Sequence, residues 1–166
     1  MERTLIILKP DAIQRSIAGE ILSRFEKAGL RIVGAKMTLP DKAHYHQHYE
    51  TISKMVSRRG QAAFDVTLQM MQEGPVIAAV LEGIEAVATV RKMVGTTEPK
   101  EAAPGTIRGD YAHVSFAHAN GLNVGIPNLI HASGNEKEAK EEINLWFKKD
   151  ELYDYKNTHE RYTQVK

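Results

Sequence analysis

The sequence predicts an α+β fold with the element order βαββαβ, and two observations carry the prediction. Apolar or alternating runs of strand length recur along the chain, and the residues between them place their apolar side chains at helical spacing. Thr4 to Leu8 is β-branched and continuously apolar, as suits a strand buried on both faces, and Pro10 stops it. From Ser16 onward Ile17, Ile21, Leu22, Phe25 and Ala28 share one helical face, with Gly29 just past the end. Leu30 to Leu39 alternates Val33, Ala35, Met37 and Leu39 with Lys36 and Thr38, a second strand, and Pro40-Asp41 then begins a short helix towards Tyr49.

Gln61 to Glu73 carries Phe64, Leu68 and Met71 at helical spacing and ends at Gly74-Pro75, after which Val76 to Leu81 reads as a third buried strand. Beyond Gly83, Ile84, Val87, Val90, Met93 and Val94 form the stripe of a helix that stops at Gly95. Gly95 to Asn128 is weakly periodic apart from Ala112 to Phe116, and a loop of that length in a compact domain is usually functional or disordered. Leu129 to His131 is the last strand. The helix after Asn135-x-x-Glu138, a capping-box-like start, turns Ala139, Ile143, Trp146 and Phe147 inward. The polar tail from Asp150 is expected to pack loosely or on a neighbouring subunit. The sum is a ferredoxin-like antiparallel sheet covered on one face by helices, with extra loop segments.

Composition narrows the function. The 166 residues suit a single domain spanning 1–166, and 22 basic against 21 acidic side chains leave +1. That balance, with no aromatic-rich RNP-like strand, argues against nucleic acid as a partner. The absence of cysteine removes disulfides, Cys-ligated metals and thiol nucleophiles. Leu5 to Leu8 is too short for a signal-peptide core, and Val76 to Leu81 is far below the ~20 residues of a bilayer span. The expected location is the cytoplasm, with no membrane partner.

Several groups have the right chemistry for a site. Lys9 stands at the end of the first strand. Arg91, Thr97 and Arg108 lie in or beside the long loop, where guanidiniums, a hydroxyl and Gly-rich backbone suit phosphate oxygens, although no GxxxxGK[ST] loop exists. His131 ends an apolar run and is followed by the small Ala132-Ser133-Gly134, which leaves room for a phosphate beside the ring. Glu142, two turns into the next helix, is placed to hold one ring nitrogen so that the other faces substrate. The bland alternatives are a hydrogen-bonded core histidine and surface ion pairs. His44-x-His46-x-His48 aligns only His44 and His48 on a helix, so no metal site is assigned. Arg58-Arg59-Gly60 reads as a solvated turn.

Glu2-Arg3-Thr4 running into Leu8-Lys9-Pro10-Asp11, His48-Tyr49, Gly74-Pro75-Val76 and Val90 to Thr97 recur in a familiar order. Pro104 to Tyr111, Asn128-Leu129-Ile130-His131-Ala132-Ser133 and Glu142-Ile143 before Leu145-Trp146-Phe147 complete it. Together they resemble the nucleoside diphosphate kinase family over nearly the whole chain. The resemblance implies ping-pong transfer of a γ-phosphate between nucleoside tri- and diphosphates through a phosphohistidine at His131. It gives Lys9, Arg91, Thr97 and Arg108 to the phosphates, Tyr49 to support Lys9 and the phosphate end, Asn128 to the ribose, Ser133 and Glu142 to the histidine, and Phe64 to stacking on the base. It also implies magnesium carried mainly by the nucleotide phosphates, broad base specificity, and a homo-oligomer, a hexamer ahead of a tetramer. The chain departs from the family in three places: extra residues around Ser53 to Gln61, extra residues between Tyr111 and Asn128, and His131-Ala132-Ser133-Gly134-Asn135 where His-Gly-Ser-Asp is usual. The lost carboxylate motivates an alternative, a nucleotide-binding regulatory or scaffold oligomer with weak or no kinase activity. One geometric demand follows as well: Asn128 and His131, three residues apart, share a site only if the chain bends between them.

Overall fold

The computed structural model describes residues 1–164. Strands β1 (Glu2–Leu8), β2 (Arg31–Thr38), β3 (Val76–Gly83) and β4 (Ile130–Ala132) form one antiparallel sheet in the order β2-β3-β1-β4. The helices are α1 (Pro10–Gln14), α2 (Ala18–Lys27), α3 (Lys42–His46), α4 (Met55–Arg59), α5 (Gln61–Met71), α6 (Ala86–Val94), α7 (Ile107–Tyr111), α8 (Phe116–Gly121), α9 (Glu136–Trp146) and the short α10 (Glu160–Thr163). No helix among the described residues is long and apolar enough to cross a membrane.

The sheet is covered on both faces, not one. Leu5 and Ile7 of β1 join a core with Tyr45, Phe64, Met71, Ile143 and Trp146, from α3, α5 and α9. Ile6 and Leu8 join a second core with Ile21, Phe25, Val90 and Ile107, from α2, α6 and α7. Successive strand residues point to opposite faces, so an unbroken apolar run such as Leu5 to Leu8 requires cover on both sides.

Other differences from the sequence reading are local. Pro10 opens α1 at its first position, where the missing N–H costs nothing, instead of only ending β1. Met55–Arg59 is helical, and a π-helical turn over Gln47–Ile52 follows α3. The long loop holds two short helices capped by side chains: Thr106 Oγ1 accepts from Gly109 N (3.1 Å) and Ser115 Oγ from His118 N (3.1 Å). The tail does not float. Tyr153 N donates to Val33 O (2.7 Å), at the register shift of β2, Tyr155 Oη donates to Ile32 O (2.7 Å), and Arg31 joins Glu82 and Asp154. Gly34 permits this approach, since a Cβ there would lie 2.8 Å from Leu152 Cδ2.

Candidate active site

The end of β1 and the irregular entry to β4 place the first residues. His131 pairs with Ile7 across the two strands, so its side chain points to the face that Ile7 shares with α9. The bend that Asn128 and His131 require is present at Leu129, whose φ is +72°. There Ile130 N donates to Asn128 O (2.8 Å), closing a γ-turn. The turn is over-determined: Leu129 N donates to Asp11 Oδ2 (2.9 Å), Lys9 N to Leu129 O (2.9 Å), and Arg108 spans it. Arg108 Nε donates to Asn128 O (3.1 Å), Nη2 to Ile130 O (2.5 Å) and Nη1 to Gly95 O (3.0 Å).

A buried chain of hydrogen bonds fixes the histidine. His131 Nε2 lies 3.0 Å from Glu142 Oε1, and Ser133 Oγ donates to Glu142 Oε2 at 2.6 Å. A carboxylate only accepts, so Nε2 carries the hydrogen and Nδ1 keeps the lone pair. Burial disfavours the Glu142 charge, but the His131 ring and the two hydrogen bonds outweigh it and hold the carboxyl at about 2. His48 is fully buried edge-on to His131, with ring centroids 4.5 Å apart. Its Nδ1 accepts from Trp146 Nε1 (3.2 Å), and burial, with the His131 charge adding to it, pushes its pKa down to about 3. A neutral His48 makes no ion pair with Glu142, despite the 3.9 Å between them. Ligand-type atoms of His48, His131 and Glu142 lie within 4.8 Å of one another; hydrogen bonds engage His48 Nδ1, His131 Nε2 and both Glu142 oxygens, while the buried His48 Nε2 has no hydrogen-bond partner among the described residues. His44 packs instead on Trp146 and His46 on Phe64.

Above this floor opens a cavity of about 590 Å³, lined by Lys9, Tyr49, Arg91, Thr97, Arg108, Asn128 and His131, among others. Lys9 Nζ donates to Asn128 Oδ1 (2.7 Å), and Asn128 Nδ2 donates to Thr97 O (2.8 Å). Burial, joined by the charges of Arg108 and Arg59 and opposed by Asp11, lowers Lys9 to about 8. Burial also lowers Arg108, to about 10, with Arg91 and Arg59 adding to it, so the guanidinium stays charged at neutral pH. The cavity is therefore strongly cationic. Of the described residues lining it, only Glu138 carries a carboxylate.

Not every expected contact forms. Lys9 is held by Asn128, not by Tyr49, whose buried hydroxyl has no hydrogen-bond partner among the described residues and whose pKa burial raises. Phe64 does not line the cavity: it is buried in the core and edge-on to His46, and Thr67, one turn along α5, forms the wall. The two arginines read as a solvated turn instead line the cavity. Arg58 Nη2 donates to Glu138 Oε1 (2.7 Å) and Arg59 stands over the Phe116 ring at 5.4 Å. Glu138 fills the space next to Gly134, where a Cβ would collide with its Oε2. A carboxylate thus stands beside the position where the usual family motif carries Asp, but it comes from α9. No sequence signal marked Glu138 beyond its place in the cap, where Asn135 Oδ1 accepts from Glu138 N (2.9 Å).

The sequence profile of the nucleoside diphosphate kinase family matches residues 2–152. The chain belongs to that family. Among its relatives, the nucleoside diphosphate kinase of Borreliella burgdorferi is 42% identical over 160 residues, covering 96% of this chain and 95% of its own length. That of Pyrococcus furiosus is 47% identical over 157 residues, covering 93% and 88%. A solved structure of a transition state mimic of nucleoside-diphosphate kinase from Borrelia burgdorferi, with bound vanadate and ADP, superposes with a TM-score of 0.93 over 96% of this chain and 95% of that one, at 42% identity. The halophilic nucleoside diphosphate kinase of Halobacterium salinarum in complex with CDP gives a TM-score of 0.82 at 37% identity, covering 98% of this chain and 97% of that one.

Proposed function

We propose that this nucleoside diphosphate kinase family member moves the γ-phosphate of a nucleoside triphosphate to a nucleoside diphosphate through Nδ1 of His131. The Nδ1 lone pair attacks the γ-phosphorus, the bond to the β-γ bridging oxygen breaks, and the diphosphate leaves with the bond's electrons. The terminal oxygen of a second nucleoside diphosphate then attacks the same phosphorus and releases the ring. The observation that carries this reading is the His131 Nε2–Glu142 hydrogen bond of 3.0 Å at the floor of a cavity walled by Lys9, Arg91 and Arg108. Phosphoryl transfer asks mainly for alignment and for cations around spread negative charge, and the cavity offers both. The bound vanadate and ADP of the Borrelia burgdorferi structure support the same chemistry.

Magnesium enters in this reading as part of the substrate. It takes octahedral oxygen ligands and keeps several waters, and a cavity with one lining carboxylate suits an ion already held by nucleotide phosphates. Self-association into a hexamer, or failing that a tetramer, is part of the proposal. It is supported by the family resemblance and by Met37 and Leu39, 58% and 63% exposed at the end of edge strand β2. Light scattering reads the mass directly.

Incubation with γ-labelled ATP leaves acid-labile, alkali-stable label on the wild-type chain and none on His131→Gln. Label on that variant, with turnover, refutes the mechanism. A wild-type chain that binds ADP but never labels supports the regulatory reading instead.

A further inference from the structure

We propose that Arg59 is a further phosphate-binding guanidinium of this site, held over the cavity by two segments, one carrying α4 and the other α8. The proposal rests on the nucleotide reading of the cavity given above.

The first segment contains α4, bounded by Lys54 in the left-handed region (φ +54°) and by Gly60 (φ +87°). Adjacent helical residues project about 100° apart, so Arg58 and Arg59 on one turn serve different neighbours. Arg58 is tied to Glu138 at 2.7 Å, which anchors α4 to the start of the helix that carries Glu142. Arg59 is thereby turned to the cavity, which it lines. The second segment brings Phe116, the first residue of α8, beneath the guanidinium at 5.4 Å. That segment is itself fixed: Phe116 N donates to Glu98 Oε1 (2.9 Å), and Gly125 lies so close to α5 that a Cβ would sit 2.8 Å from Val66 O.

The electrostatics agree with the geometry. Among the described residues Arg59 makes no ion pair with a carboxylate. Its neighbour is an aromatic face, which orients a guanidinium without neutralising it. Its field is felt by both Lys9 and Arg108, the two buried cations of the cavity. An uncompensated guanidinium among other cations raises the energy of the empty site, and an anion with several oxygens relieves it. The planar fork of Arg59 suits two oxygens of one phosphate. The matching ligand is the phosphate chain of a nucleoside di- or triphosphate, whatever its base.

Calorimetric titration of ADP and of adenosine into wild type, Arg59→Ala, Arg59→Lys and Phe116→Ala tests the assignment. Arg59 is exposed, so circular dichroism and melting of its two variants should match wild type, and the same measurements check that Phe116→Ala, at a half-buried position, stays folded. For Arg59→Ala the Kd for ADP should rise about tenfold to a hundredfold, by the usual worth of a hydrogen bond to a charged group. Arg59→Lys should recover part of that loss, and Phe116→Ala should weaken ADP a few-fold, as loss of an exposed cation–π contact does. Adenosine binding should be the same in all four. In steady state, KM for the diphosphate should rise more than kcat falls. ADP affinity of Arg59→Ala within twofold of wild type overturns the assignment and leaves the nucleotide reading intact. A wild-type chain that binds no ADP overturns both.

Discussion

The floor and the rim of the cavity are built differently. On the floor, His131, Ser133, Glu142, Lys9, Asn128 and Arg108 engage one another or backbone carbonyls, and all but His131 are at most 8% exposed. On the rim, Arg58, Arg59 and Arg91 are exposed and rest on one ion pair, one aromatic face and, for Arg91, no ion pair among the described residues. A buried polar network holds its geometry because every lapse leaves an unsatisfied group in low dielectric. An exposed arginine is free to follow its ligand, and removing it exposes nothing. Floor substitutions should therefore cost stability, alignment and rate together, whereas rim substitutions should cost mainly affinity.

The largest expected effect is His131→Gln, which removes the nucleophile and should leave neither label nor turnover in a phosphate-transfer assay. Arg108→Lys against Arg91→Lys sharpens the contrast within one residue type. A single ammonium cannot serve the carbonyls of Gly95, Asn128 and Ile130 together. Arg108→Lys should therefore lose about 2 kcal/mol or more in chemical denaturation as well as activity. Arg91→Lys should melt like wild type and change only kinetic constants; equal stabilities for the two variants break the comparison.

Two titrations separate the floor's charges. Lys9, held at about 8, loses its proton earlier than an ordinary lysine, so kcat/KM should fall as pH rises through about 8. Arg59→Ala should move that fall upward, because one of the charges depressing Lys9 is gone. For stability, the folded Lys9 pKa lies below its ordinary 10.5, so its contribution grows as pH climbs from about 8 to 10.5. Glu142 has the same sign in a lower pH window. Its folded pKa of about 2 lies below the ordinary 4.5, so its contribution is complete above about 4.5 and is lost as pH falls towards 2. Acid melts of His131→Gln should begin to lose stability at higher pH than wild type, since the charge that depresses Glu142 is removed.

The smallest effect belongs to the rim's ion pair. Arg58 is 56% exposed, so Arg58→Ala should change stability by no more than about 1 kcal/mol. Its KM for nucleotide should rise a few-fold, because α4 loses its anchor while the floor stays as it was. A collapse of kcat in that variant contradicts the division between floor and rim.

By itself the sequence determined the strands, their order and the faces of the longer helices, and it set out His131, Glu142, Lys9 and Arg108 as candidates for one site. Those features write themselves locally: Leu5 to Leu8 has no polar interruption, Ile21 and Phe25 are one turn apart, and His131 with Glu142 falls on a strand and the following helix at workable spacing. Even the bend at Leu129 followed from counting residues between Asn128 and His131. Tertiary structure alone decided what covers each face, where the tail lies, and who stands at the rim. Burial of the sheet's second face depends on where α2, α6 and α7 dock, and the tail's place depends on hydrogen bonds from Tyr153 and Tyr155 to a strand far away in sequence. Arg58, Arg59, Phe116 and Glu138 come from three distant segments, and an exposed charged residue carries no periodic signal of its partner. Phe64 was a candidate for base stacking through the resemblance alone, not through a signal of its own. Its helical position was legible in the chain, but whether that face met the cavity or the core depended on the roll of α5 against the sheet.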